Sequence, residues 1–190
     1  NHSPLIEEYI EPLQRVSKQA PILDLACGSG RNGLFLVNQK LPVVFADVNE
    51  SALEQVKKSL VNHYFDDIKI KASFWQVDFE QINVTSLVDK SFSAVLVFRY
   101  LHRPLMSQIK HTVIEGGLVV YETFTVDHAQ LGRPKNPDFL LKHGELAELF
   151  SDWHILHSFE GIVEADNDSG KQAIAQIVAR KPQGKNLKLN

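Results

Sequence analysis

The segment Ile22 to Gly33, reading Ile-Leu-Asp-Leu-Ala-Cys-Gly-Ser-Gly-Arg-Asn-Gly, constrains this chain more than any other stretch. A short apolar run that enters closely spaced glycines reads as a buried strand turning sharply into a helix, because glycine lacks a β-carbon and accepts positive φ. Such a turn lets backbone N–H groups and a helix N-terminus approach a ligand closely, which by itself says only nucleotide or anion. Gly28 to Gly33 also carries the G-x-G-x-x-G spacing of dinucleotide-binding units. Asp47, at the end of the next apolar run, is placed to accept from ribose hydroxyls.

The rest of the chain repeats the same alternation. Strands are expected at 21–26, 42–46, 70–77, 92–98 and 118–124, with helices at 33–39, 51–61 and 105–111 between them. Alternation of this kind builds parallel βαβ units. Before it, apolar residues at Leu5, Ile6, Tyr9, Ile10, Leu13 and Val16 predict an amphipathic helix, with Pro12 marking a kink or break. After it, a helix at 145–150 leads into two strands, 154–163 and 172–180, joined by the polar run Glu164 to Gly170 as a hairpin. Gly116-Gly117 is expected to introduce the fifth strand. The fold class that results is α/β: a Rossmann-like, seven-stranded mixed sheet, mostly parallel with a C-terminal antiparallel hairpin, flanked by helices. Residues 1–182 form one domain and 183–190 a polar tail.

Asp24 separates the nucleotide-binding alternatives. It places a carboxylate inside the first strand, where a dinucleotide-binding unit keeps an apolar residue, and a buried acid needs a partner. In this Asp-x-Ala-x-Gly-x-Gly form the sequence resembles the class I S-adenosylmethionine-dependent methyltransferases, from about Ile22 to Lys181. The resemblance implies S-adenosylmethionine as cofactor. Ala26, Gly28 and Gly30 then line its amino-acid end, with Asp24 ordering the loop or its waters. Asp47 accepts from both ribose hydroxyls, Val48 packs on the adenine, and Asp78 and Phe79 hold the adenine amino group and cover the ring. Phe98 and Arg99 pass the methionine portion. The hairpin agrees, since members of that family extend the sheet with an antiparallel pair. An NAD-dependent oxidoreductase is the competing enzyme class.

Composition limits the partners. Of 190 residues, 44% are hydrophobic and 23% charged, and the net charge of −3 encodes no global attraction to nucleic acid or anionic membranes. The apolar runs are strand-length and the first fourteen residues lack a signal-peptide plan, so a soluble, cytoplasmic protein is expected without membrane association. The single cysteine, Cys27, supports no intrachain disulfide. No His/Cys/Asp set has ligand spacing, so no bound metal is expected. His154 and His157, three apart in a strand, are read as pointing to opposite faces. Ser29 lacks the spacing of a nucleophile elbow.

Methyl transfer from a sulfonium is an in-line displacement, so alignment and exclusion of water carry much of the catalysis and a base is optional. The chain has Phe98-Arg99-Tyr100-Leu101-His102-Arg103-Pro104 where amino-directed nucleic-acid methyltransferases carry an Asn/Asp-Pro-Pro-Tyr/Phe motif. This segment, with Tyr121 to Phe124 and Gly132 to Pro137, is similar to the tellurite-resistance-like branch of methyltransferases. His102 is the candidate base or a packing residue of the next helix. Tyr100 orients an acceptor or packs beneath the cofactor, and Glu122 faces the pocket or pairs with Arg99 or Arg103. The stretch 125–142 is too long for a simple connection and reads as a lid. With Arg133, Lys135, Lys142, His128 and His143 on it, and Arg99, His102, Arg103 and His111 nearby, a positive rim for an anionic acceptor is expected. Arg103 and Arg133 are its substrate-binding candidates; solvated surface is the alternative. A small-molecule acceptor is the leading reading. RNA, notably tRNA, or a protein side chain is the alternative within enzymes, and a non-catalytic S-adenosylmethionine-binding sensor or scaffold the alternative outside them. Nothing in the sequence specifies an oligomeric state.

Overall fold

Glycine turns, acidic strand ends and apolar runs assemble as the alternation requires in the computed structural model, which describes residues 1–63, 71–81, 87–165 and 170–184. The strands are β1 (Ile22–Leu25), β2 (Val43–Asp47), β3 (Ala72–Gln76), β4 (Phe92–Phe98), β5 (Val113–Phe124), β6 (His154–Glu164) and β7 (Lys171–Arg180). They form one sheet in the order β3-β2-β1-β4-β5-β7-β6. The first five strands are parallel, and β7 pairs antiparallel with both β5 and β6. Strand order reverses between β1 and β4, and open α/β sheets bind ligands at the crevice such a reversal leaves at their carboxyl edge.

Helices cover both faces. On one side α1 (Pro4–Glu8), α2 (Ile10–Val16), α3 (Arg31–Asn38) and α4 (Glu50–His63) meet Ile22, Phe45, Leu96 and Val120. On the other, α5 (Met106–Thr112) and α6 (Glu145–Leu149) meet Leu23, Val95, Val97 and Tyr121. Burial on both faces explains why these strands read as continuous apolar runs rather than alternating ones.

Three local expectations are corrected. The N-terminal helix breaks at Tyr9 and not at Pro12: Tyr9 leaves helical geometry at φ −102°, ψ 20° and separates α1 from α2. Pro12 still causes the break, because its ring excludes the carbonyl four residues earlier, Glu8, which is where α1 ends. Gly116-Gly117 lies inside β5, where the register with β4 jumps from Phe92↔Val113 to Ala94↔Leu118. A β-carbon on Gly117 would sit 2.6 Å from the Ser93 carbonyl oxygen, so the irregularity needs glycine. His154 and His157 do not face opposite ways. A bulge at Leu156 pairs them with Arg180 and Val178, two apart on a regular strand, and so brings both to one face.

The stretch 125–142 closes on itself. Thr125 bridges to Leu141, the Val126 N–H donates to the Leu141 carbonyl, and short 3₁₀ turns lie at Val126–Gln130 and Pro137–Phe139. Of the expected polar tail, 185–190 lies outside the described residues, as does 166–169 of the hairpin connection.

Packing between α3 and the sheet rests on Gly33. A β-carbon there would lie 2.3 Å from the Phe45 ring and 2.7 Å from an Asp24 oxygen. Gly33→Ala is therefore expected to destabilise the fold by about 1–3 kcal/mol through overpacking, read as a lowered urea midpoint at unchanged m-value. An unchanged midpoint would contradict this packing.

Candidate active site

Asp47 closes β2, and its carboxylate joins the loops that leave β1 and β2. One oxygen accepts from the Gly28 N–H at 2.7 Å and the other from the Asn49 N–H at 2.8 Å. A carboxylate can accept about four hydrogen bonds, so both oxygens retain capacity for a ligand. Ala26, Gly28 and Gly30 stand in the left-handed region at φ 52°, 53° and 68°. The Gly30 N–H donates to the Cys27 carbonyl at 2.8 Å to close the turn. A β-carbon on Gly28 would meet nothing within 4 Å, so this glycine borders open space. Val48, next to Asp47, is 60% exposed and offers an apolar surface beside that carboxylate. Asp78, after β3, accepts from the Glu80 N–H, and Phe79 is buried edge-on against Trp75.

Asp24 turns away from this opening and toward α3. Only 3% exposed, it accepts the Gly33 N–H at 2.9 Å. Burial pushes its carboxyl up to about 7; nearby Asp47 adds to the rise, while the Gly33 hydrogen bond and Arg31 oppose it. Its part in the site is to hold the glycine loop and the start of α3.

The ends of β4 and β5 form the second half of the site. Arg99 follows β4 with φ 59°, an uncommon backbone conformation for a residue with a side chain. Its N–H donates to the Glu122 carbonyl at 2.9 Å, its guanidinium pairs with Glu122 Oε1 at 3.1 Å, and it lies 4.5 Å over the Phe124 ring. Glu122, 5% exposed, accepts on its other oxygen from Gln176 Nε2 at 2.6 Å. Of the two expected partners, then, Arg99 is the one that meets Glu122. The Tyr100 carbonyl accepts from the Tyr121 hydroxyl at 2.9 Å. Burial pushes the Tyr100 phenol up, with Glu80, Asp78 and Asp47 adding to it, so it stays a proton donor. His102 is partly exposed at the start of the Arg103–Leu105 turn, which its side chain does not cap. Phe98 packs into the core beside α3 and α4.

Part of the expected positive rim is neutralised by ion pairs, while the Lys135 and Lys142 side chains stay exposed. Arg103 binds both Glu145 oxygens, at 2.6 and 2.8 Å, and donates to the Asp138 and Leu140 carbonyls. It thereby clamps the end of the 125–142 loop. His143 contacts Glu160 at 2.8 Å and Asp127 at 3.4 Å. His128 is not on the rim at all. It is 4% exposed, stacks on Phe124, and has its ring nitrogens against the Arg133 carbonyl and the Ala173 N–H. His111 ends α5 beside the start of β5, at the opposite edge of the sheet. The Arg133 side chain is exposed, while its backbone joins Pro134 through a cis peptide bond.

Gln176 escaped sequence reading, although it is the one polar residue within Ala173 to Ala179. Among the described residues, no group of three or more His, Cys, Asp or Glu side chains could hold a metal ion, and no helix is long and apolar enough to cross a membrane.

Residues 1–174 match the family described as "Tellurite resistance protein TehB". The chain belongs to this TehB family. A TehB relative from Haemophilus influenzae strain 10810, described as a probable S-adenosyl-L-methionine-dependent methyltransferase, is 26% identical over 177 residues, covering 88% of this chain and 59% of the relative. The crystal structure of TehB from Haemophilus influenzae superimposes with a TM-score of 0.72 at 21% identity, covering 95% of this chain and 62% of that one. This chain thus spans about three fifths of each TehB relative. A structure titled as a SAM-dependent methyltransferase, from Methanosarcina mazei, superimposes over its whole length and 97% of this chain, with a TM-score of 0.68 at 15% identity. The chain therefore shares its fold with these structures, as the alternation of strands and helices implied.

Two outcomes follow from this geometry. The folded state binds the Asp24 proton more tightly than the unfolded chain, whose aspartates titrate near 3.9, so stability contributed by the neutral carboxyl is complete below about pH 4 and is lost as pH rises through about 7. Asp24→Asn keeps an acceptor for Gly33 and should flatten that decline, by on the order of a few kcal/mol between pH 5 and 8 in urea unfolding. Identical pH dependence in the two proteins would contradict the assignment. Arg103→Met should free the loop end, so that trypsin cuts after Lys135 at least several-fold faster; unchanged cleavage would show that the clamp does not restrain the loop.

Proposed function

We propose that this TehB chain is an S-adenosylmethionine-dependent methyltransferase acting on a small molecule. The observation that carries the reading is Asp47, whose carboxylate closes β2 beside β1, is bonded to the Gly28 amide in the loop that leaves β1, and is followed by exposed Val48.

The residues suit that cofactor. Asp47 retains acceptor capacity for a ribose, Val48 offers an apolar surface for adenine, and Gly28 leaves open space beside the backbone. When bound, S-adenosylmethionine supplies a methyl group activated on a sulfonium. Ala26, Gly28 and Gly30 would border its amino-acid end and Asp24 would hold their loop. Asp78 and Phe79 would bound the adenine, and Phe98 and Arg99 the methionine portion. Asp47, Asp78 and Glu80, whose charges all reach Tyr100, make this side of the site acidic. That suits a cationic donor.

On the acceptor side, Glu122 already holds Arg99 and Gln176, which fits an orienting role. Tyr100 keeps its proton and can donate a hydrogen bond to an acceptor. His102 is the group able to take a proton where the acceptor must lose one. Arg103 supports the site by clamping the loop, and exposed Arg133 is available for substrate contact. Two cavities near Arg99, of about 210 and 200 Å³, are of a size to take a small acceptor.

Calorimetric titration with S-adenosylmethionine, S-adenosylhomocysteine and NADH tests the cofactor. The first two are expected to bind, with Asp47→Ala weakening both by roughly tenfold to a hundredfold through lost charged hydrogen bonds, and NADH is expected not to bind. Preferential binding of NADH would overturn the reading in favour of an oxidoreductase. Cofactor binding without turnover across an acceptor panel would favour a sensor or scaffold.

A further inference from the structure

Arg99 stands between two small cavities. One, about 210 Å³, is walled by Tyr100, Phe124, Pro134 and Phe139, with Glu80 also on its lining. The other, about 200 Å³, is bounded by Ser3, Glu122, Glu164 and Gln176. Each holds a volume of roughly seven water molecules in the liquid, enough for a ring or a head group but not a polymer.

Their charges do not balance. Among the described residues that line the two cavities, three carboxylates, Glu80, Glu122 and Glu164, meet a single guanidinium, that of Arg99. The Arg99 charge is already engaged by Glu122 at 3.1 Å and by the Phe124 face. Gln176 holds the second Glu122 oxygen, and its own carbonyl is fixed by His157 Nε2 at 3.1 Å, so the carboxylate keeps one orientation. Arg103, Arg133 and Lys135 are absent from both linings. A cation placed here gains from buried Glu122, from the exposed carboxylates of Glu80 and Glu164 at the rims and from the aromatic faces, whereas an anion meets like charge.

We propose that the two cavities form one bipartite acceptor site for a small molecule carrying a basic nitrogen and a flat apolar group. The apolar group sits among Tyr100, Phe124 and Phe139, and the ammonium lies beside Glu122 and Glu164. Calling this an acceptor site rests on the methyltransferase reading; the charge preference of the cavities does not.

The test uses three probes that share a phenyl ring, phenethylammonium, 2-phenylethanol and phenylacetate, titrated by calorimetry with and without S-adenosylhomocysteine. Phenethylammonium is expected to bind at least about tenfold more tightly than phenylacetate, with the gap narrowing as salt is raised. Glu164→Gln, at an exposed position of the edge strand, should lower that preference about threefold. The double variant Glu122→Gln/Glu164→Gln should abolish it, with an unchanged near-ultraviolet circular dichroism spectrum reporting an intact fold. Equal or tighter binding of phenylacetate, binding of none of the probes, or a preference that survives the double variant would each overturn the proposal. Absence of S-adenosylhomocysteine binding by the wild type would overturn the cofactor reading alone, because the probe titrations without it still decide the charge preference.

Discussion

The hydrogen bond from the Gly33 amide to the buried Asp24 carboxylate sets how closely α3 lies on the sheet. It lets an acid occupy the interior of β1, gives the first turn of α3 a partner for an otherwise unbonded N–H, and excludes any side chain at position 33. With α3 fixed this way, the loop from Ala26 to Gly30 is drawn into left-handed geometry, and the Gly28 amide is turned toward Asp47. The glycine loop is thus held from below by one aspartate and from the side by another. The electrostatic cost falls on Asp24, whose proton is retained more tightly chiefly because its carboxyl is buried and in lesser part because Asp47 is near.

Much of this was readable in the chain, for local reasons. The glycine spacing, the buried acid and the acidic strand ends lie within a few residues of what they control, so the strand-turn-helix unit, the place of Asp47 at the end of β2 and the antiparallel hairpin were anticipated. What was not readable depends on partners distant in sequence or on one-residue irregularities. The Leu156 bulge reverses which histidines share a face without leaving any compositional mark. Arg103 finds Glu145 forty-two positions away, and Arg99 finds Glu122 on the neighbouring strand, so two of the cations that look like a rim in a linear reading are engaged in pairs. His128 looks like a titratable loop residue until the loop folds over it and claims both ring nitrogens.

Pairing of that kind changes the chemistry ascribed to the acceptor edge. A cluster of basic residues in sequence suggests affinity for anions, but attraction depends on charge left over after internal pairing and on how well it is desolvated. Around the ends of β4 and β5 the internal pairs use the guanidinium groups and leave carboxylates facing the cavities. The 125–142 loop, which borders the larger of the two, is tethered at its stem both by backbone hydrogen bonds to Leu141 and by Arg103 on the Asp138 and Leu140 carbonyls, so its exposed tip can vary without disturbing the strands beneath.

The position of β7 between β5 and β6 has a bearing on how the molecule is made. A chain emerging from its N-terminus completes the five parallel strands while the outer edge of β5 still lacks its neighbour. An unpaired, apolar strand edge invites pairing with other chains. β6 cannot cover it, since β6 touches the sheet only through β7. The nascent protein therefore carries an open flank until its last strand arrives, and that same strand brings Gln176 to Glu122. Closure of the flank and completion of the cavity wall around Glu122 occur in a single event, so a molecule that has not finished folding lacks that cavity.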